Sequence, residues 1–428
     1  MTYDAILLTS FGGPEGPDEV MPYLERVTAG RGVPYERLVE VSHHYLALGG
    51  VSPINQQNRE LLAALKEHLP TRGIDLPIYW GNRNSEPYFA DVLKQIAADG
   101  HKRVLAFVTS AYSSYSGCRQ YRENLAVALQ ETGLEGTLQV DKIRHYFDHP
   151  GFLAPVATDL AHAIRGMYAG SHVEDPEALP GSEMGQALAA GEIAIMFATH
   201  SIPNVMGETS GPADRRDEFK ALAEQAPAQY GEAELLAAGK PLRWNETRAA
   251  GGAYAAQHLA AARVVMEMVA AEFAADAAPG AASAALPHWS LVYQSRSGSP
   301  TMPWLEPDIN DAIAAAHEAG AKGVIVVPIG FVSDHVEVVW DLDNEAAETC
   351  QELGLAFRRV RTSGVAAEFV DGIADLILER QEEHEAADIE NVNHAARKAL
   401  SPLGPWNDFC KADCCPNGRR TLPVIAEA

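Results

Sequence analysis

The chain has 428 residues, 47% of them hydrophobic, enough for two or three domains with complete cores. Its 33 basic against 58 acidic residues give a net charge of −25; this argues against a nucleic-acid-binding surface, which needs concentrated Lys and Arg, and means that an anionic ligand must be met by local basic groups. Apolar runs are broken by charge or proline before the ~18 residues of a membrane span, and Met1-Thr2-Tyr3-Asp4 leads into a strand without a basic, apolar leader, so the expectation is no membrane span, no secretory signal and a cytoplasmic location.

In chain order, strand patterns fall at 4–9, 76–81, 104–110, 138–143, 192–198, 289–294, 323–329 and 356–361. Helical periodicity lies between them, as over 58–65 and 254–273. Strands alternating with helices predict parallel sheets. Residues 204–250 carry many charges and few strand formers, and predict a helical excursion at a cleft rim. The stretch 274–285, rich in Ala with Pro279 and Gly280, predicts a loose connection. After about Ser363 come one more helix, a charged stretch over 379–397, and a Pro- and Gly-punctuated tail.

Three segments of the first half recur in the second, in the same order. Residues 5–14 line up without a gap against 194–203, setting Phe11 opposite His200; 78–83 match 291–296, and 100–107 match 320–327. This predicts two similar halves, with a period far too long for a solenoid. The expected fold is α/β: two similar Rossmann-like lobes, each a parallel sheet flanked by helices, facing each other across a cleft. The expected division is 1–165 for the first lobe, 166–375 for the second with its excursion at 204–250, and 376–428 for a C-terminal helix and cysteine-bearing tail.

Two of the strand patterns deliver a histidine near their C-terminal tips, in Thr199-His200-Ser201 and in Asp334-His335-Val336-Glu337. Ligands of open α/β sheets sit outside the carboxyl ends of the strands, so His200, His335 and Glu337 are the first candidates for handling protons or a divalent metal. Alone, a histidine at such a junction reads as a satisfied structural residue. Asp334 to Glu337 also has capping-box spacing, in which Glu337 returns a hydrogen bond to the backbone. Against that, Glu337, Asp341 and Glu345 recur every four residues on one helix face, among apolar Val338, Val339, Trp340 and Leu342. A carboxylate row in a mostly buried helix is costly unless it serves cations or protons.

The tail offers three thiols in Cys410-Lys411-Ala412-Asp413-Cys414-Cys415. In a cytosolic chain disulfides are disfavoured and exposed thiols at this density invite oxidation, so metal binding is the favoured reading. Zinc usually takes paired cysteines two to four residues apart, and only one pair here is so spaced, leaving zinc as the alternative. Cys350 reads as a buried helix thiol without a ligand role.

Several motifs together resemble the ferrochelatases, which insert ferrous iron into a porphyrin. They are Phe197-Ala198-Thr199-His200-Ser201-Ile202-Pro203, Phe331-Val332-Ser333-Asp334-His335-Val336-Glu337, Tyr293-Gln294-Ser295-Arg296 followed by Met302-Pro303-Trp304-Leu305, and Gly49-Gly50-Val51-Ser52-Pro53, spread over most of residues 2–376. Ser10-Phe11-Gly12-Gly13-Pro14 with a cysteine-bearing tail is most similar to the actinobacterial branch, whose members act on coproporphyrin.

The resemblance implies roles residue by residue. His200 would be the base that takes pyrrole protons and, with Glu337, would meet the substrate Fe²⁺; Asp341 and Glu345 would continue a path for iron or protons; His335 would orient Glu337 or sit behind the metal. Ser52 and Tyr121 match positions that contact the porphyrin, with Arg26, Arg31, His44 and Tyr45 as further candidates and Phe11 packing on the ring face. A [2Fe-2S] cluster would be held by Cys410, Cys414, Cys415 and, from the body, Cys118. The implied function is insertion of ferrous iron into coproporphyrin III in haem synthesis, with handover to a downstream haem-synthesis enzyme. The alternatives are protoporphyrin IX as substrate, or a non-catalytic tetrapyrrole or metal carrier, which needs affinity but no base facing a carboxylate.

Overall fold

A computed structural model describes residues 3–30, 32–170, 187–239, 251–277, 284–297, 302–385, 397–411, 413–416, 418 and 422–426. The first half runs β1 (Ala5–Ser10), α1 (Pro17–Val27), α2 (Tyr35–Ala47), α3 (Pro53–His68), β2 (Ile78–Asn82), α4 (Phe89–Ala98), β3 (Arg103–Val108), α5 (Gln120–Thr132), β4 (Gln139–Lys142) and α6 (Pro150–Ala169). The second runs β5 (Ile193–His200), α7 (Asn204–Glu208), α8 (Arg216–Glu224), α9 (Glu232–Ala237), α10 (Gly252–Asp276), β6 (His288–Gln294), α11 (Ile309–Glu318), β7 (Gly323–Val327), α12 (Val336–Val338), α13 (Ala347–Glu352), β8 (Ala356–Arg359) and α14 (Ala367–Glu385). A strand lies at each of the eight expected places. The pattern over 323–329 stops at Val327 because Pro328 has no N–H to give the ladder.

Both sheets are parallel throughout, ordered β2-β1-β3-β4 and β6-β5-β7-β8, so the halves repeat one topology. The repeat holds at the level of register for the third match: Ile6 pairs with Leu105 and Ile195 with Ile325. For the second match it is offset, since Ile6 pairs with Ile78 but Ile195 with Trp289, two residues before Leu291. A two-residue shift leaves every side chain on its original face, so the strand pattern survives it.

Each central strand is buried on both sides and alternates between two cores. Ile6 and Leu8, like Ile195 and Phe197, face one large shared core, while Ala5 and Leu7 face a core of the first lobe and Ala194, Met196 and Ala198 one of the second. The shared core is built by an exchange of helices. α6 begins in the expected first lobe and crosses its boundary at 165, and it packs on β7 and β8, while α14 reaches back to α3. His68, the last residue of α3, and Arg72, in the turn after it, meet Asp371 of α14, and Arg72 also meets Asp375 at 2.8 Å. The excursion after β5 supplies α7, α8 and α9, with α7 and α8 lying against α10.

Candidate active site

The carboxyl ends of β5, β6 and β7 converge. His200 ends β5 and stands beside Gln294, the last residue of β6. The chain leaving β7 turns through Gly330, where a Cβ would come within 2.1 Å of Thr199 Oγ1, and starts α12 at Val336. That close approach sets Glu337 opposite His200, with Nε2 and Oε2 3.4 Å apart and both side chains partly open to solvent. The other ring nitrogen, Nδ1, is 2.5 Å from the Ser201 carbonyl. A carbonyl only accepts, so Nδ1 carries the proton and Nε2 is left for chemistry. Burial by itself would lower the His200 pKa, but the Glu337 carboxylate, the Ser201 carbonyl and Asp341 outweigh it and hold the pKa above its ordinary value.

The capping-box reading of Glu337 does not hold. Asp334 is engaged by the buried Arg359 guanidinium through two 3.1 Å bonds, and the residue preceding α12 is His335, whose side chain makes no capping bond. His335 packs edge-on against Phe331 at 5.2 Å. Burial and the charge of His200 keep its pKa below normal, against the pull of Glu337 and Asp334.

After α12 the helix widens into a π-helical segment, Val339–Ala346, before α13. Such segments concentrate at functional sites, and nothing in the residue pattern announced it. Asp341 accepts from Ser295, and Gln294 Nε2 lies 3.4 Å from the same carboxylate. Burial, with the charges of Glu337 and Glu345, pushes the Asp341 pKa up to about 7, against the Ser295 hydrogen bond and His200. Ser295 holds a left-handed φ of 61°, a conformation that costs a non-glycine residue energy and places its hydroxyl on Asp341. Glu345 accepts from Trp340 Nε1 at 2.8 Å, and the Trp340 ring stacks on His44 of α2 at 4.4 Å.

Glu337, Asp341 and Glu345 line one cavity of about 210 Å³ together with Trp340 of the same helix and His44 and Tyr45 of α2. Ser295 stands in one of the quoted motifs and Trp340 beside the acid row, but the Ser295 bond to Asp341 and the Trp340 stack on His44 join separate segments.

The other candidates take different positions. Phe11 follows β1 as His200 ends β5, with its ring edge-on to Tyr23 at 6.5 Å and the Arg83 guanidinium 5.1 Å from its centroid. Arg83 also covers Tyr121 at 4.6 Å, and Tyr121 is only 3% exposed. Ser52, likewise 3% exposed, sits under the Gly13 backbone. Contact of Ser52 or Tyr121 with a ligand therefore requires their covers to move. Tyr45 is buried against Tyr23 at 5.8 Å, and Arg26 donates to the Asn84 carbonyl at 2.7 Å. Arg31 lies outside the described residues. Arg83, which touches two of the expected porphyrin residues, was not anticipated.

The thiols converge as well. Cys118 sits in a second π-helical turn, Tyr115–Arg119, just after β3, and forms one buried cluster with Cys410, Cys414 and Cys415. Arg119 donates to the Cys414 carbonyl at 3.2 Å, and Arg122 to the carbonyls of Ile425 and Ala426, which seats the tail on the first lobe. Hydrogen bonds from Cys118 and Cys414, with the charges of Lys142 and Arg122, hold the Cys410 pKa well below normal despite burial. Among the described residues no group of three or more His, Cys, Asp or Glu side chains is spaced as a metal site. Cys350 is buried apart, its pKa pushed up to about 12 by burial. All five cysteines are free.

The protein is thus a two-lobed α/β one in which His200 faces Glu337 at the edge of a cavity walled by Glu337, Asp341 and Glu345. The ferrochelatase family profile matches residues 3–381. The coproporphyrin III ferrochelatase of Leifsonia xyli subsp. xyli is 48% identical over 427 residues, covering 100% of this chain and 94% of the relative. That of Streptomyces griseus subsp. griseus is 44% identical, covering 100% and 96%. A protein named ferrochelatase in Rhodopirellula baltica is 43% identical, covering 99% and 96%. The chain belongs to the ferrochelatase family, enzymes that place a metal ion in a porphyrin. Among the described residues no helix is long and apolar enough to cross a membrane.

Proposed function

We propose that this enzyme inserts ferrous iron into coproporphyrin III. The observation that carries the reading is the His200–Glu337 pair, 3.4 Å apart, with Glu337 also lining a cavity that Asp341 and Glu345 share. Iron would be drawn along Glu345 and Asp341, shedding water onto carboxylates that suit a divalent cation. Neutral Nε2 of His200 would accept a pyrrole proton, and Glu337 would stabilise the imidazolium so formed. Phe11 would pack on the macrocycle, with Ser52, Tyr121, Arg31 and Tyr45 toward its carboxylates. The names of the relatives favour coproporphyrin III over protoporphyrin IX. A site made for four carboxylates should discriminate by hydrogen bonds more sharply than by apolar fit. The test is kcat/KM for the two porphyrins under identical anaerobic conditions; a clear preference for protoporphyrin IX would overturn the substrate assignment.

In this reading Cys118, Cys410, Cys414 and Cys415 hold a [2Fe-2S] cluster. Its support is the donor set: four thiols in one buried site, held against the first lobe by the bonds from Arg119 and Arg122 to the tail carbonyls, thiols being the donors such a cluster takes. When bound, the cluster would supply a covalent cross-link between tail and first lobe.

A further inference from the structure

We propose that Tyr254 is a positioning residue for His200, and that the Ser210–Gly211 turn makes its position depend on the sulfur of Cys415. The first part rests on the family's reaction; the second also rests on the reading of the four cysteines as a metal–sulfur centre.

Tyr254 lies in the first turn of α10, buried, behind the active-site face of β5. Its hydroxyl is 2.8 Å from the His200 carbonyl and 2.8 Å from Thr199 Oγ1. Thr199 Oγ1 is in turn 2.9 Å from His258 Nε2, and His258 Nδ1 is 2.7 Å from the Tyr254 carbonyl. One proton order satisfies all four contacts. Nδ1–H of neutral His258 donates to the Tyr254 carbonyl, Thr199 donates to Nε2, and the Tyr254 hydroxyl is shared between Thr199 Oγ1 and the His200 carbonyl. The backbone of the proposed base is thus held from behind by a buried hydroxyl.

The same tyrosine is tied to the tail. Its backbone N–H donates to Ser210 Oγ at 2.9 Å, and that hydroxyl donates to the Gly207 carbonyl at 2.6 Å. The next residue, Gly211, donates its N–H to Cys415 Sγ at 3.2 Å. There is no slack between these points. Gly211 has φ +76°, and a Cβ there would lie 2.4 Å from that of Ala253; Gly252 has φ +50°, and a Cβ there would lie 2.1 Å from the Gly207 oxygen. A shift of Gly211 must therefore move the start of α10, and with it the Tyr254 hydroxyl. A thiol is a weak acceptor that can rotate, whereas a metal-bound thiolate is fixed and accepts more strongly. Loading the cysteine site would tighten the turn and hold His200. This gives the excursion after β5 a purpose: it bridges tail and catalytic strand.

The experiment uses the full chain purified without oxygen. Tyr254→Phe should keep bound iron and sulfide and leave KM for porphyrin within about twofold, while kcat falls about tenfold, the worth of one such hydrogen bond. Unchanged kcat would overturn the positioning role, and a tenfold rise in KM with kcat intact would reassign Tyr254 to substrate binding. Cys415→Ala should speed amide hydrogen exchange across 207–215 and lower kcat to the level of Tyr254→Phe, with no further loss in the double variant. Cys415→Ser, which keeps an acceptor, should retain more of the exchange protection. Losses that multiply in the double variant, or unchanged exchange in Cys415→Ala, would overturn the coupling. Wild-type protein without iron and sulfide would overturn the metal–sulfur link, while the Tyr254→Phe result would still decide the positioning.

Discussion

His200 meets Glu337 through Nε2 at 3.4 Å while its Nδ1 is committed to the Ser201 carbonyl at 2.5 Å. One ring nitrogen is therefore a fixed anchor, and the other faces the carboxylate, an ion pair when protonated and a free base when not. His200→Ala should cut metal insertion by about 10²–10⁴-fold, the range for loss of a general base, with porphyrin binding nearly intact. Fluorescence titration and single-turnover insertion assays separate the two, and a near-normal rate would remove His200 from the base role.

The same contact sets a pH dependence. Glu337 contributes most to holding the His200 pKa above normal, so the base form appears only as pH rises through that elevated value. In Glu337→Gln the support is lost, and the acid limb of the kcat/KM profile should move to lower pH even as the maximum rate drops. An acid limb that stays in place would mean another group is titrating.

Asp341 ionises only above a pH of about 7. If it draws iron inward, Asp341→Asn should raise KM for Fe²⁺ several-fold, with KM for porphyrin unchanged. The gap from wild type should be wider at pH 8 than at pH 6, because only the ionised carboxylate is lost. Steady-state kinetics at the two pH values check this, and an equal gap at both would argue against charge attraction.

The cysteine site can be tested directly. Protein purified without oxygen should carry two irons and two sulfides per chain by the cluster reading, and Cys118→Ser should lose both. Losing the cluster should loosen the tail first, seen as earlier proteolysis after Trp406, because the cross-link closes a long loop. Zinc without sulfide would replace the cluster with the alternative metal.

His149 precedes α6, and its Nδ1 accepts the Gly151 N–H at 3.1 Å, a bond available only to a neutral ring. Burial and Arg144 depress its pKa to about 4. The unfolded chain thus binds more protons than the native one between the two pKa values. This contribution to stability is fully present above the ordinary histidine pKa and is lost as pH falls toward about 4. His149→Asn keeps a capping acceptor but removes the titration, so its Tm should fall less steeply than wild type from pH 7 to pH 4.5. Parallel thermal melts would refute it.

Much of the architecture was legible from residue order. Strand runs such as 193–200 are apolar on both faces because helices cover both, and the recurrence of 5–14 at 194–203 foretold the repeated sheet order. His200, Glu337 and the acid row could be picked out because strand ends and a four-residue helical spacing are local properties, and the family resemblance then supplied their roles. Other relationships are not local. The Ser295 hydroxyl on Asp341, the stack of His44 on Trp340, and the cover of Arg83 over Phe11 and Tyr121 join groups remote in sequence. Each depends on which elements pack together, and packing is decided by the whole core. The same holds for the tail: its three cysteines were visible as a group and the resemblance pointed to Cys118, but only the folded chain brings Gly211 to Cys415. The sequence determined which residues were chemically able to act; the tertiary structure decided which meet, because hydrogen bonds and ion pairs reach only a few ångströms and the chain must be fully folded before those distances exist.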